Sequence, residues 1–305
     1  MDRTAAPACR TLGLAARNAR YVYYPSRSGY IVACSKMTAA LHLPFHGIVV
    51  IAADDDMHIE VSSGRQAMRL QALAACPRAL HIDSPSTPLV CVVANPLHAD
   101  FRAFRLLQRP YCAPLERRLF RTLDEPLHAA LEGSLGDNDG ASLFNGVLTR
   151  VRNHLPSPRD RDPRAQQLVE FLWAHPKCTL AELARHLKLS YGRTSHLFAD
   201  AVGVSVRSYQ LWQKMYQATA ALIAGATITQ AAYAAGFSDA AHFSSAFQRA
   251  YGCAPTFIFK NAHVKLASHR HDNAEGAPAD PLEIPDDRMK PVRDSHSIQA
   301  QRGVT

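Results

Sequence analysis

Residues 179–203 read TLAELARHLKLSYGRTSHLFADAVG, and residues 227–252 read TITQAAYAAGFSDAAHFSSAFQRAYG. The two stretches write one pattern twice: a short helix, a tight turn, and a second helix whose outer face carries small polar side chains. In the first copy Thr179 is a candidate N-cap with Glu182 as its capping-box partner. Leu180, Leu183, Ala184 and Leu187 form an inward stripe. Leu189-Ser190 makes the turn, Ser190 can cap the next helix, Leu197 and Phe198 face inward, and Gly203 has the place of a C′ glycine. In the second copy Thr227 or Thr229 starts the short helix, and Ile228, Ala231 and Ala232 are its buried side. Ala234-Ala235-Gly236 offers small residues where two helices approach closely, Phe237 plugs the core, Ser238 or Asp239 caps the next helix, and Phe243 and Phe247 face inward four residues apart. Between the copies, Tyr209, Leu211, Met215, Ala218 and Leu222 suit a long connecting helix with Lys214 near its middle.

A helix that reads DNA enters the major groove by its N-terminal end with side chains that donate and accept hydrogen bonds. The outward residues offered for this are Arg193, Ser195 and His196 in the first unit. In the second they are Ala240, Ala241, His242, Ser244, Ser245 and Gln248. The plainer reading makes all of these ordinary solvated positions. Lys214 can meet a phosphate, which would position the domain without specifying sequence, or it can pair with a carboxylate.

The rest of the chain divides by pattern. Residues 1–20 look loosely ordered. Residues 21–113 hold short apolar runs rich in β-branched residues, at 30–33, 47–51, 58–61 and 89–93, which predict a small, mostly antiparallel β-body. Asp54-Asp55-Asp56 between two runs predicts a hairpin turn, and Asn95-Pro96 closes the last run. Residues 114–155 shift to helical spacing, with Leu115, Leu119, Leu123 and Leu127 four apart around Pro126, then a second helix over about 141–154 after a loop at 133–140. Residues 156–163, rich in proline and charge, predict a linker. Residues 164–260 are helical in period throughout, and 261–305 turn polar and predict a disordered tail.

The chain has 305 residues and a formal net charge of +8, a balance that suits a polyanionic partner. Its seven cysteines are scattered and form no C-x-x-C pair. They predict reduced thiols rather than a disulfide frame or zinc site, and so a cytoplasmic protein. No apolar stretch is long enough for a membrane span.

The order Leu183-Ala184, Leu189-Ser190, Leu197-Phe198, Gly203, Ser205, Tyr209, Ala218, Leu222, Ile228, Ala232, Gly236-Phe237, Phe243, Phe247, Gly252, Pro255 resembles the AraC/XylS family of bacterial transcription regulators over residues 164–259. The resemblance implies an α+β chain whose C-terminal all-α domain has seven helices, with two helix-turn-helix units joined by one long helix. The implied partner is double-stranded promoter DNA, read in successive major-groove segments. Thr194 and His196 depart from the bulky and basic residues common at those places. Ala240, Ala241 and Ser245 are smaller than usual, which shifts the expected base readout toward the first unit and toward DNA shape.

The resemblance further implies an N-terminal β-rich, cupin-like sensor for a small-molecule effector. The helical stretch 114–155 then supplies a homodimer contact, and RNA polymerase is a further expected partner. It is much weaker in this half, resting on the short strands, on Pro77 ahead of His81, and on Asn95-Pro96. His42, His46 and His81 are either stray histidines or the lining of an effector pocket. Their spacing departs from the H-x-H of metal cupins, so neither metal nor cofactor is expected, and no enzymatic activity. A metal-dependent cupin enzyme, a DNA-repair methyl acceptor, and a regulator whose N-terminal half binds a protein are the competing readings. The methyl acceptor would need clustered cysteines near residue 1, which the scattered thiols do not provide.

Overall fold

The computed structural model describes residues 19–266 apart from 27, 42–43, 64–65, 77–79, 159–161, 163, 252 and 261–262. Residues 1–18, half of the linker and most of the expected tail therefore lie outside the described residues, as do His42, Pro77 and Gly252.

Among the described residues, the first half is built from ten strands in two sheets. One sheet runs in the order β10 (Cys112–Leu115), β7 (Ala72–Ala75), β4 (Gly47–Ala52), β9 (Leu89–Ala94), β2 (Gly29–Cys34) and β1 (Tyr21–Ser26). The other runs β3 (Met37–Leu41), β8 (Leu80–Ser84), β5 (Ile59–Ser63), β6 (Gln66–Leu70). All of these neighbours pair antiparallel. The central strands β4 and β9 are buried at every residue, because both of their faces are covered. Ile48, Val50, Cys91 and Val93 share one core, and Val49, Ile51, Val90 and Val92 share another. That explains their unbroken apolar runs. In contrast β5 alternates, with Ile59 and Val61 buried and Glu60 exposed.

Two expectations fail here. Asp54–Asp56 do not close a hairpin between β4 and β5. Both edges of β4 are taken by β7 and β9, so the acidic turn carries the chain from one sheet to the other. There Asp54 meets His128 at 3.1 Å and Asp55 meets Arg121 at 2.7 Å. The helical stretch is also not a free apolar stripe. Leu115 ends β10, Leu119 and Leu123 lie in a 3-10 segment, Arg117–Leu123, and Leu127 belongs to α2 (Asp124–Glu132). Leu127, Leu143, Val147, Leu148 and Val151 are buried in the core on the outer side of β4 and β9. The apolar side expected to join two copies is thus spent inside one chain. The second of these helices, α3 (Asp137–Val151), starts four residues earlier than expected, because Gly133, at φ 78°, ends α2 at once.

Buried Arg117 ties the layers together. It donates to the carbonyls of Ala52 and Ala53 at 2.8 and 2.7 Å and pairs with Asp124 at 2.6 Å.

After α1 (Phe101–Arg105) and these helices come seven more: α4 (Arg164–Ala174), α5 (Leu180–His186), α6 (Tyr191–Val202), α7 (Val206–Ile223), α8 (Ile228–Ala234), α9 (Ala240–Tyr251) and α10 (Pro255–Lys260). Their core, with Trp212, Tyr209, Phe198, Phe243 and Phe247, is continuous with the inner core of the β-body. The expected tail is corrected at its start. Val264–Leu266 form a strand, β11, that pairs parallel to β1 and extends the first sheet.

Candidate nucleic-acid interface

The two helix pairs are built from matching hydrogen bonds. In the first, the Thr179 hydroxyl accepts the Glu182 amide at 3.2 Å while the Glu182 carboxylate accepts the Thr179 amide at 2.7 Å. In the second, Thr227, rather than Thr229, makes the same reciprocal bonds with Gln230. Each pair satisfies two amides that a helix start otherwise leaves open. The short helices end alike. Lys188 and Gly236 are left-handed, at φ 54° and 77°, and the amides of Leu189 and Phe237 bond back to Ala184 and Ala232, both at 2.9 Å. These are Schellman-type endings. A lysine bears the positive φ in the first turn, where glycine would be strain-free.

The reading helices follow. Ser190 caps α6 by accepting the Arg193 amide, and Asp239, rather than Ser238, caps α9 by accepting the His242 amide at 2.7 Å. Phe198, Phe243 and Phe247 are buried as expected, whereas Leu197 and Ile228 are only half-buried. Arg193, His196, Ala241, His242 and Ser245 are exposed, and Ser195, Ala240, Ser244 and Gln248 are half-buried. No residue offered for base reading points into the core.

Thr194 is fully buried and bonds its hydroxyl back to the Ser190 carbonyl at 3.0 Å. Lys214 has a structural bond that the sequence did not show. Its Nζ donates to the Gly236 carbonyl at 2.9 Å, fastening the connecting helix α7 to the second turn. Near the start of α4, Arg164 holds the Asp162 carboxyl down at about 2, and Arg193 adds in the same direction. Tyr191 was not singled out from sequence. It opens α6 and is 62% exposed, and its place directly after the cap Ser190 was the available signal.

The β-body holds the far ends of both reading helices. Arg105 of α1 donates to the carbonyl of Gly203, which ends α6, at 3.1 Å, and to that of Pro44 at 3.2 Å. At the end of α9, the Tyr251 ring lies 5.1 Å from His46 and 6.2 Å from Tyr30. His46 is thus 1% exposed between sheet and helix, and this burial lowers its pKa to about 3. His81 lies in β8 on the face opposite the buried Leu80 and Ile82. Among the described residues, no group of three or more His, Cys, Asp or Glu is arranged to hold a metal ion. The six described cysteines are free and buried, and no described helix is long and apolar enough to cross a membrane.

A family model described as a helix-turn-helix domain matches residues 183–261, the stretch that contains both turns. The second half forms a DNA-binding domain of the AraC/XylS type. The arabinose operon regulatory protein of Escherichia coli K12 is 32% identical to this chain over 133 residues, 41% of this chain and 45% of that protein. The Salmonella typhimurium protein of the same name matches equally, over 47% of its length. The chain thus spans about half the length of the curated relatives it matches. Among solved structures, ToxT from Vibrio cholerae O395 aligns over 78% of this chain and 95% of its own, with a TM-score of 0.46 at 14% identity. The AraC-like transcriptional activator CuxR aligns over 60% and 76%, with a TM-score of 0.33 at 12% identity.

Proposed function

We propose that the chain is a sequence-specific transcription regulator that binds double-stranded promoter DNA through α6 and α9. The observation that carries this is the duplicated turn geometry, which leaves two capped helices with Arg193 and His196 exposed on one and His242 and Ser245 exposed on the other. Arg193, Ser195 and His196 serve the first groove segment. Ala240, Ala241, His242, Ser244, Ser245 and Gln248 serve the second. The β-body senses a small molecule or joins two copies, and it acts on DNA affinity through its hold on both helix ends. Homodimerisation, contact with RNA polymerase, a cytoplasmic setting and the absence of catalysis belong to the same reading. Lys214 fastens the second turn through one N–H, and its remaining donors are open to a DNA phosphate.

Binding to promoter fragments tests this. One fragment should bind roughly 10³-fold or more above the rest, and affinity should fall steeply with salt as counterions are released. His196→Ala should lower that ratio. Equal affinity for every fragment would end the reading.

A further inference from the structure

The polar chain at the start of α9 has a fixed direction. The Ser238 hydroxyl lies 3.0 Å from Asp239 Oδ2 and 3.0 Å from His242 Nδ1. The other oxygen of Asp239 accepts the His242 amide at 2.7 Å. Those two bonds hold the Asp239 carboxyl below the usual range, so it is an ionised acceptor. Ser238 has one proton to give, and an ionised carboxylate can only receive it. The hydroxyl oxygen must then accept, and the donor facing it is His242 Nδ1–H. A neutral imidazole carries one N–H, so the lone pair is on Nε2.

The ring is also oriented. Phe237 packs against it edge-on at 5.3 Å and 84°, and the side chain is otherwise exposed. His242 is the third residue of α9, the place that Arg193 has in α6. In the major groove the donors on base edges are the exocyclic amino groups of adenine and cytosine. Guanine N7 and O6 and thymine O4 only accept.

We infer that His242 reads an exocyclic amino group, on adenine or cytosine, as a hydrogen-bond acceptor whose polarity is set by Asp239 through Ser238. This rests on the regulatory reading above and adds the chemistry of one contact. The two units then differ in kind: Arg193 brings donors, suited to guanine, and His242 brings an acceptor.

Asp239→Asn supplies the decisive variant. Its amide oxygen can still cap α9, but its NH₂ donates to Ser238, whose proton then turns to Nδ1. The imidazole is reversed, with Nε2–H outward. Nitrogen NMR of the free protein at about pH 8, where imidazoles are ordinarily neutral, should find the proton on Nδ1 in the parent and on Nε2 in the variant. An Nε2–H parent overturns the inference without any DNA present. In binding assays, the base pair whose preference vanishes in His242→Ala is located first. Removing the amino group there, with purine for adenine or pyrimidinone for cytosine, should weaken the parent on the order of tenfold and leave His242→Ala unchanged. Asp239→Asn should lose that sensitivity. Equal losses in the parent and His242→Ala would overturn the inference. Failure of the parent to prefer any sequence would overturn the regulatory reading instead, with the NMR result unaffected.

Discussion

His46 shows how one residue's place decides its chemistry. Its sequence neighbourhood offered an effector pocket. The fold instead seals the imidazole between Tyr30 and Tyr251 and lowers its pKa from 6.5 to about 3. In the unfolded chain the same ring gains a proton as pH falls through about 6.5. Between those two values the unfolded state binds more protons, so stability is full above the upper one and is lost as pH falls. His46→Phe keeps an aromatic ring in the seam and removes the proton site. Denaturant unfolding from about pH 7 to 5 should show the parent losing on the order of 1–2 kcal/mol more than the variant. Parallel curves would contradict the burial argument. The histidine was visible in the sequence, but its partner Tyr251 lies too far along the chain for any local pattern to pair them.

Among elements, helices were the legible part. Caps at Thr179, Ser190 and Thr227, the glycine at 203, and phenylalanines four apart follow rules confined to neighbouring residues, and the structure repeats them; Gly236, read as a place of close helix approach, instead ends α8 with a positive φ. Strand partners were not legible, because an apolar run does not say which edge it joins; β4 and β5 were therefore mispaired. The outward residues of α6 and α9 could be read from helical spacing, whereas the bond from Lys214 to Gly236 joins separate elements. Gly203 lies on the border between these cases. Its φ of 87° favours glycine, and a Cβ there would meet Arg105 Cγ at 3.0 Å. Gly225 has a similar φ of 93° with nothing within 4 Å of its would-be Cβ. Gly225→Ala should therefore cost only the backbone strain, about 1 kcal/mol. Gly203→Ala should cost about 1 kcal/mol more, since a neighbour must also give way. Equal losses in chemical denaturation would show that the Arg105 contact yields freely.

At the scale of the whole molecule, the linker signal at 156–163 suggests two bodies, but the inner β-core and the helical core are one continuous cluster. Tyr21 against Phe257 and Tyr30 against Tyr251 stitch them. Calorimetry should accordingly find one cooperative transition, with calorimetric and van't Hoff enthalpies in agreement. Two resolved peaks would mean that the seam contributes little. Composition could not reveal this continuity, since a residue's hydropathy says that it is buried and not beneath what.

The short strand β11 bears on how the protein is made. Tyr21 donates its amide to the His263 carbonyl at 3.0 Å, and Lys265 reaches the Gly133 carbonyl at 2.7 Å. The outer rim of β1 is therefore covered by a strand that is synthesised long after it. Until then the nascent sheet carries an open row of amides and carbonyls, an invitation to foreign strands. Chaperone demand should last until β11 has been made, and nonsense mutations that stop synthesis just after α10 should yield aggregates rather than a trimmed but soluble chain.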